Sequence, residues 1–296
     1  LGRLTLPVGL HRTPSAHFSA MAAFTNLPVD LVIVRHGQSE ANMMIEMTKR
    51  GDTTAQEAMK HAQRHDSMMR LTDKGREQAR HAGEALRALN ITGELLCVYS
   101  SPYMRCQQTL AAVLAGAGID KGGLAFHRQE PRLREQDFGN FQDPEPMEAV
   151  MAQRQEFGRF YFRFPNGEAG TDVFDRVASF ITYLFRSMAG EGYFERKGDD
   201  DVPPARNYVI VTHGLLMRIF CMCYFGWTVR EFEQIWNPSN GEIWVLQKVE
   251  GMGTYELQGR YKASRTTAVS YTHLRAHETP EHLGWRRLVE KKKWGG

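Results

Sequence analysis

The chain predicts a three-layer α/β/α fold built on a mainly parallel sheet. Short apolar, β-branched runs recur along it, and amphipathic helical patterns fill the stretches between them. Two of these runs also end alike, each passing into a histidine-glycine pair, at Arg35-His36-Gly37 and Thr212-His213-Gly214. A histidine at the carboxyl end of a strand, where a helix begins, stands where open α/β sheets bind ligands and where helix N-termini offer free N–H groups to anions.

The first strand is expected over Val29 to Val34, which reads Val-Asp-Leu-Val-Ile-Val, the composition of a strand buried on both faces. Leu95 to Tyr99, Leu124 to His127, Tyr208 to Val211 and Ile243 to Gln247 complete a set of five. Asp73 to Leu89, rich in Ala, Arg and Glu, predicts a helix with Asp73 as its N-cap. In Asp172 to Met188 the apolar residues Val173, Val177, Phe180, Ile181, Leu184, Phe185 and Met188 recur at spacings of three and four, which marks one buried helical face. Two insertions interrupt the alternation. Met43 to Arg70 is polar and rich in Met and His; Gly139 to Thr171 carries Phe157, Phe160, Tyr161, Phe162 and Phe164, expected to pack onto the sheet rather than to cap a pocket.

The length of 296 residues and 42% hydrophobic content suit one large α/β domain, assigned to residues 21–268. Residues 1–20 contain Arg3, Arg12 and no acid, and read as a leader, either a transit-peptide fragment or translated upstream sequence. Val269 to Thr279 reads as the translation of a transposase adapter used in sequencing libraries. Residues 269–296 are therefore expected to be disordered and to contribute no packed structure. The tail holds six Lys/Arg and three Glu and the leader two Arg, so without them the formal charge of +3 becomes −2. No nucleic-acid partner is expected on that basis, and no membrane partner, since no apolar stretch approaches the roughly 20 residues of a membrane span.

Cys97, Cys106, Cys221 and Cys223 read as buried reduced thiols, which suits a reducing, cytoplasmic location, or an organelle if residues 1–20 are a transit peptide. His61 and His65 have metal-ligand spacing on a helix but lack a third ligand, so they read as a solvated face. No metal and no cofactor is assigned, and the phosphate-binding loop of nucleotide-driven enzymes is absent.

Four motifs in fixed order carry the chemistry: Arg35-His36-Gly37-Gln38-Ser39-Glu40-Ala41-Asn42, Ser101-Pro102-Tyr103-Met104-Arg105, Leu133-Arg134-Glu135-Gln136-Asp137-Phe138-Gly139, and Thr212-His213-Gly214. With Leu71 to Ala79 and Pro165-Asn166-Gly167-Glu168, they resemble the histidine phosphatase superfamily, the phosphoglycerate mutase-like proteins, from about Val29 to about Gln258. Ala41 stands where phosphoglycerate mutases carry tryptophan, Leu215-Leu216 where they carry Asn-Ser, and Ala169 where serine is usual. These departures point to a phosphatase-like branch, with a mutase-type isomerase as the alternative.

The resemblance implies a phosphomonoester hydrolase acting on a small phosphorylated metabolite. Phosphoryl transfer needs a nucleophile, cations around the equatorial oxygens and a proton for the leaving group. His36 is expected to attack phosphorus and carry it as phosphohistidine, with Gly37 leaving room for the backbone to approach the phosphate. Arg35 and Arg105 offer paired donors to the phosphoryl oxygens, and His213 shares their charge beside Gly214 at a helix start. Asn42 and the Ser39 hydroxyl are candidate neutral donors. Glu135 is assigned as general acid and base in preference to Asp137 and Glu168, because it stands at the family's Leu-x-Glu-x-x-x-Gly position.

Overall fold

A computed structural model of the chain describes residues 30–51, 65–91, 96–139, 147–188, 207–249 and 254–261. Its strands are β1 (Asp30–Arg35), β2 (Leu96–Ser100), β3 (Phe126–Gln129), β4 (Asn207–Thr212), β5 (Ile243–Val249) and β6 (Thr254–Tyr261). They form one sheet in the order β3-β2-β4-β1-β5-β6. The first four strands in that order run parallel, whereas β5 is antiparallel to β1 and β6 to β5. The sheet is thus mostly parallel, with an antiparallel hairpin at one edge.

The helices are α1 (Glu40–Lys49), α2 (Asp73–Ala88), α3 (Met104–Ala117), α4 (Met147–Phe157), α5 (Gly170–Met188), α6 (Gly214–Phe225) and α7 (Val229–Gln234). Alternate residues of each strand face opposite sides, and each side has its own core. Leu31 and Ile33 of β1, Ile210 of β4 and Trp244 of β5 pack against α5 and α6; Val32 and Val34 of β1 with Val209 and Val211 of β4 pack against α2 and α3. The seven apolar residues expected on the inner face of α5 are all buried. Burial of Phe180 or Leu184, both fully enclosed, is worth roughly 1.5–3 kcal/mol each.

Two contacts seat α2 and α3 unusually close. A Cβ on Gly83 would overlap the Val113 carbonyl, and one on Gly116 the Arg80 carbonyl, so the two helices approach through these glycines. Close seating matters because α3 begins one turn from the carboxyl end of β2 and carries Arg105.

The adjacent parallel strands β1 and β4 deliver the chain to opposite faces, β1 toward the α2 side and β4 into α6. This leaves a crevice at their carboxyl ends, the arrangement in which open α/β sheets bind ligands. The register pairs Arg35 with Thr212, so His36 and His213 follow side by side. On the neighbouring strand, Ser100 pairs with Val211 and leads into Ser101-Pro102-Tyr103.

Three sequence expectations need correction. The N-cap of α2 is Thr72, whose hydroxyl accepts from Gly75 N at 3.0 Å; Asp73 is the first helical residue, where its charge faces the positive helix end. The sheet has a sixth strand, β6, on its edge, with Tyr255 and Leu257 buried and Glu256 exposed, while Arg260 is buried and paired with Glu242. The aromatics of the second insertion divide: Phe160 joins the core, Phe162 and Phe164 cluster with Val150, and Phe157 and Tyr161 are exposed. Residues 1–29 and 262–296, and with them the leader and tail, lie outside the described residues, as does His61. Among the described residues no helix is long and apolar enough to cross a membrane.

Candidate active site

His36 and His213 are enclosed at the crevice, 3% and 0% exposed, with ring centroids 5.1 Å apart. The His36 backbone N–H donates to Thr212 O at 2.9 Å, which locks β1 to β4 at this point. Nδ1 of His36 lies 2.7 Å from Gly37 O. A carbonyl only accepts, so Nδ1 carries the proton and Nε2 keeps its lone pair. Burial, reinforced by Arg105 and Arg35, holds the His36 pKa well below the usual 6.5, so the ring is neutral at ordinary pH.

His213 precedes α6 and shares a hydrogen bond with Ser101 through Nε2 at 2.8 Å. Its Nδ1 faces Glu135 Oε2 at 3.9 Å, and the Tyr103 ring stands edge-on to it at 5.2 Å. Its pKa is likewise held well below 6.5, first by burial and then by the charges of Arg105, His36 and Arg35. The thiol of Cys106 packs 3.5 Å from the same ring. Burial pushes that thiol to about 12, so it is a neutral packing group, and all four cysteines are buried.

Two guanidiniums flank the histidines. Arg35 donates through Nη1 to Pro238 O, while its Nε is buried and has no hydrogen-bond partner among the described residues. A buried donor without a partner costs stability, and an anion reaching it would remove that cost. Arg105, 4% exposed, donates to Asp66 from both Nη atoms and lies 4.9 Å over the Tyr103 ring.

Glu135 follows a short 3₁₀ turn, Pro131–Leu133, which Thr212 ties to β4 by donating to Leu133 O at 2.9 Å. Burial raises the Glu135 pKa, against the pull of Arg105 and Arg35, and its Oε1 accepts from Gln136 N at 3.0 Å. The loop carrying it is held by Arg176 of α5, which donates to the carbonyls of Arg132 at 2.6 Å, Arg134 at 2.8 Å and Glu135 at 3.2 Å. Glu168 pairs with Arg176 and Arg134 and accepts from Asp137 N, which ties it into the same support. Sequence reasoning missed Arg176 and Asp66, because a side chain that grips carbonyls or another side chain at long range leaves no local pattern; Ser101 lay within a motif, but its bond to His213 was not foreseen.

The smaller expectations fare differently. A Cβ on Gly37 would overlap the Gly75 carbonyl, and the Gly37 N–H donates to Thr109 Oγ1 at 3.1 Å, so a close backbone crossing requires this glycine. Ser39 Oγ donates to Asn42 Oδ1 and accepts from Asn42 N, which engages it in capping α1. Asn42 Oδ1 also accepts from Asn240 Nδ2 at 3.0 Å. Gly214 opens α6 where a Cβ would overlap the Asn237 side chain. His65 caps a 3₁₀ turn through Nδ1, and among the described residues no group of three His, Cys, Asp or Glu is placed to hold a metal ion.

A neutral imidazole lone pair, guanidinium donors with open valences and a carboxyl of raised pKa thus meet in one crevice, a set suited to displacement at phosphorus. The family model of the histidine phosphatase superfamily (branch 1) matches residues 31–259. Phosphoglycerate mutase-like protein AT74 of Arabidopsis thaliana is 39% identical over 276 residues, covering 90% of this chain and 78% of the relative. Broad-range acid phosphatase DET1 of Saccharomyces cerevisiae is 31% identical over 323 residues, covering 80% of this chain and 90% of the relative. The same fold occurs in a solved mycobacterial glucosyl-3-phosphoglycerate phosphatase in complex with VO3, at 22% identity and TM-score 0.52, covering 78% of this chain and 96% of that one. The α-ribazole phosphatase from Shigella flexneri gives 18% identity and TM-score 0.53, covering 82% and 100%. The chain belongs to branch 1 of the histidine phosphatase superfamily.

Proposed function

We propose that this enzyme hydrolyses small phosphomonoesters through a phosphohistidine on His36. The observation that carries the reading is a His36 ring that is neutral, with its Nε2 lone pair free, set against His213 and within the field of Arg105 and Arg35. In the first step Nε2 attacks phosphorus, the ester P–O bond breaks, and Glu135 gives its proton to the leaving oxygen. Arg35, Arg105 and His213 take the charge on the phosphoryl oxygens. In the second step water attacks phosphorus, the Glu135 carboxylate takes its proton, the P–N bond breaks, and inorganic phosphate leaves. Each residue ends as it began.

Transfer to water rather than to a second hydroxyl is supported by the likeness to the yeast acid phosphatase, which extends over 90% of that protein. It is also supported by Ala41, Leu215 and Leu216 at the positions where mutases differ. Incubation with a ³²P-labelled phosphoester and an alkaline quench should leave an alkali-stable, acid-labile phosphate on the chain. His36→Ala should abolish the label and lower turnover by at least about a thousandfold. A chelator should leave turnover unchanged, because the cationic groups of the mechanism are guanidiniums. Label recovered on serine or cysteine, or undiminished turnover in His36→Ala, would overturn the proposal.

A further inference from the structure

Arg105 is held by a residue from outside the four motifs. Of its five N–H donors, Nη1 gives one to Asp66 O at 2.7 Å and one to Asp66 Oδ1 at 3.0 Å, and Nη2 gives one to Asp66 Oδ2 at 2.9 Å. The carboxylate therefore meets the guanidinium end-on, across both Nη atoms. The Nε–H and the second proton of Nη2 remain, and they lie together along one side of the guanidinium plane. That side makes a second two-pronged fork of the kind that matches phosphate.

The guanidinium and its backbone are fixed by their neighbours. Tyr103 lies under the Arg105 guanidinium at 4.9 Å and meets the His213 ring at 5.2 Å, and Arg105 is the charge that acts most strongly on His213. The Arg105 carbonyl accepts from Thr109 Oγ1 at 2.7 Å, and Thr109 in turn accepts from Gly37 N, which fixes the backbone against the nucleophile loop. Asp66 is itself anchored. It opens the 3₁₀ turn Asp66–Met68, capped by His65, and the chain after it is tied down by Arg70 N to Glu40 Oε2 at 3.0 Å and Leu71 N to Gln108 Oε1 at 2.8 Å. An arginine side chain has four rotatable torsions, and alone it would lose much freedom on meeting a phosphate. One already gripped end-on has little left to lose.

We infer that Asp66 is a positioning residue: its carboxylate holds Arg105 end-on so that the side-on Nε–H and Nη2–H pair is presented to the phosphoryl group. This inference rests on the phosphoryl-transfer reading of the crevice. It assigns a function to the first insertion, which supplies an essential orienting contact to a motif some 40 residues away in sequence.

The test uses the full chain, with inorganic phosphate as the binding probe and p-nitrophenyl phosphate as the substrate. Asp66→Asn should weaken phosphate binding and lower kcat/KM, each by about tenfold, the loss expected when a charge-assisted bidentate pair is degraded. Asp66→Glu, which restores the carboxylate, should recover part of the loss. In an Arg105→Ala background Asp66→Asn should cost nothing further, since its effect passes through Arg105. A second measurement needs no variant at Asp66. In the wild-type chain the ¹⁵N–H signal of Arg105 Nε, assigned by its loss in Arg105→Lys, should move downfield when phosphate is added. Unchanged affinity, an additive double variant or an unmoved Nε–H signal would overturn the inference. Tighter phosphate binding in Asp66→Asn would also overturn it, because Asp66 would then be a competitor occupying the phosphate's place. Phosphate binding and the Nε–H signal do not require a phosphoenzyme, so failure to trap phosphohistidine would sink the mechanism while leaving these results readable.

Discussion

The imidazole of His213 meets that of His36 nearly edge to face, at 66° and 5.1 Å, because the β1–β4 register makes the two residues neighbours. Neither ring can take a proton readily in this setting. Burial and the two arginines hold both pKa values well below 6.5, while burial holds the Glu135 pKa above 4.5. His36 thus stays unprotonated as pH falls below 6.5, and Glu135 stays protonated above the usual carboxylate range.

The pH profile of kcat/KM follows from these directions. The proposed mechanism requires His36 neutral and Glu135 protonated, so the optimum should lie on the acidic side of neutrality, falling as pH rises through the Glu135 pKa. Glu135→Gln should remove that alkaline limb. A profile still rising above pH 8 would show that Glu135 is not the acid.

Glu135→Gln should also stabilise the fold at neutral pH while lowering kcat by about 10²–10⁴-fold. Because the folded pKa exceeds the unfolded one, the folded state retains a proton that the unfolded chain has already released. Stability therefore declines as pH rises from the ordinary value of 4.5 through the folded pKa. Gln carries no such penalty. Melting temperatures measured across pH 4–8 should diverge in favour of the variant toward neutrality; parallel curves would refute this.

Arg176→Lys should lower kcat by roughly tenfold or more through loss of the guanidinium's planar set of donors. One ammonium cannot satisfy Glu168 and the three carbonyls of the Glu135 loop together. KM should change little, since no substrate contact is removed. Steady-state kinetics with KM and kcat separated would decide it, and full activity in the lysine variant would exclude this role.

Gly37→Ala should destabilise the protein by about 1–3 kcal/mol, the cost of overpacking at a tight contact. The reason is the Gly75 carbonyl, which stands where the new Cβ would go. Gly75→Ala should cost a similar amount, since its Cβ would meet the Gln38 backbone. Urea unfolding of both variants measures this, and loss of activity at unchanged stability would return Gly37 to the phosphate.

Much of this protein was legible along the chain because the signals are local. β-branched runs mark β1 and β4, three-and-four spacing marks the buried face of α5, and a His-Gly pair at two strand ends marks the crevice before any coordinates are seen. Helix starts were readable only to within a residue, as Thr72 rather than Asp73 shows, because adjacent polar residues compete for one backbone N–H. Tertiary structure alone decided the rest. The direction of β5, the edge strand β6, the end-on grip of Asp66 on Arg105, the hold of Arg176 on the Glu135 loop and the Gly37–Gly75 crossing all join residues distant in sequence. Such contacts carry no periodicity, since they depend on how the folded layers bring side chains and carbonyls together, not on the identity of neighbours along the chain.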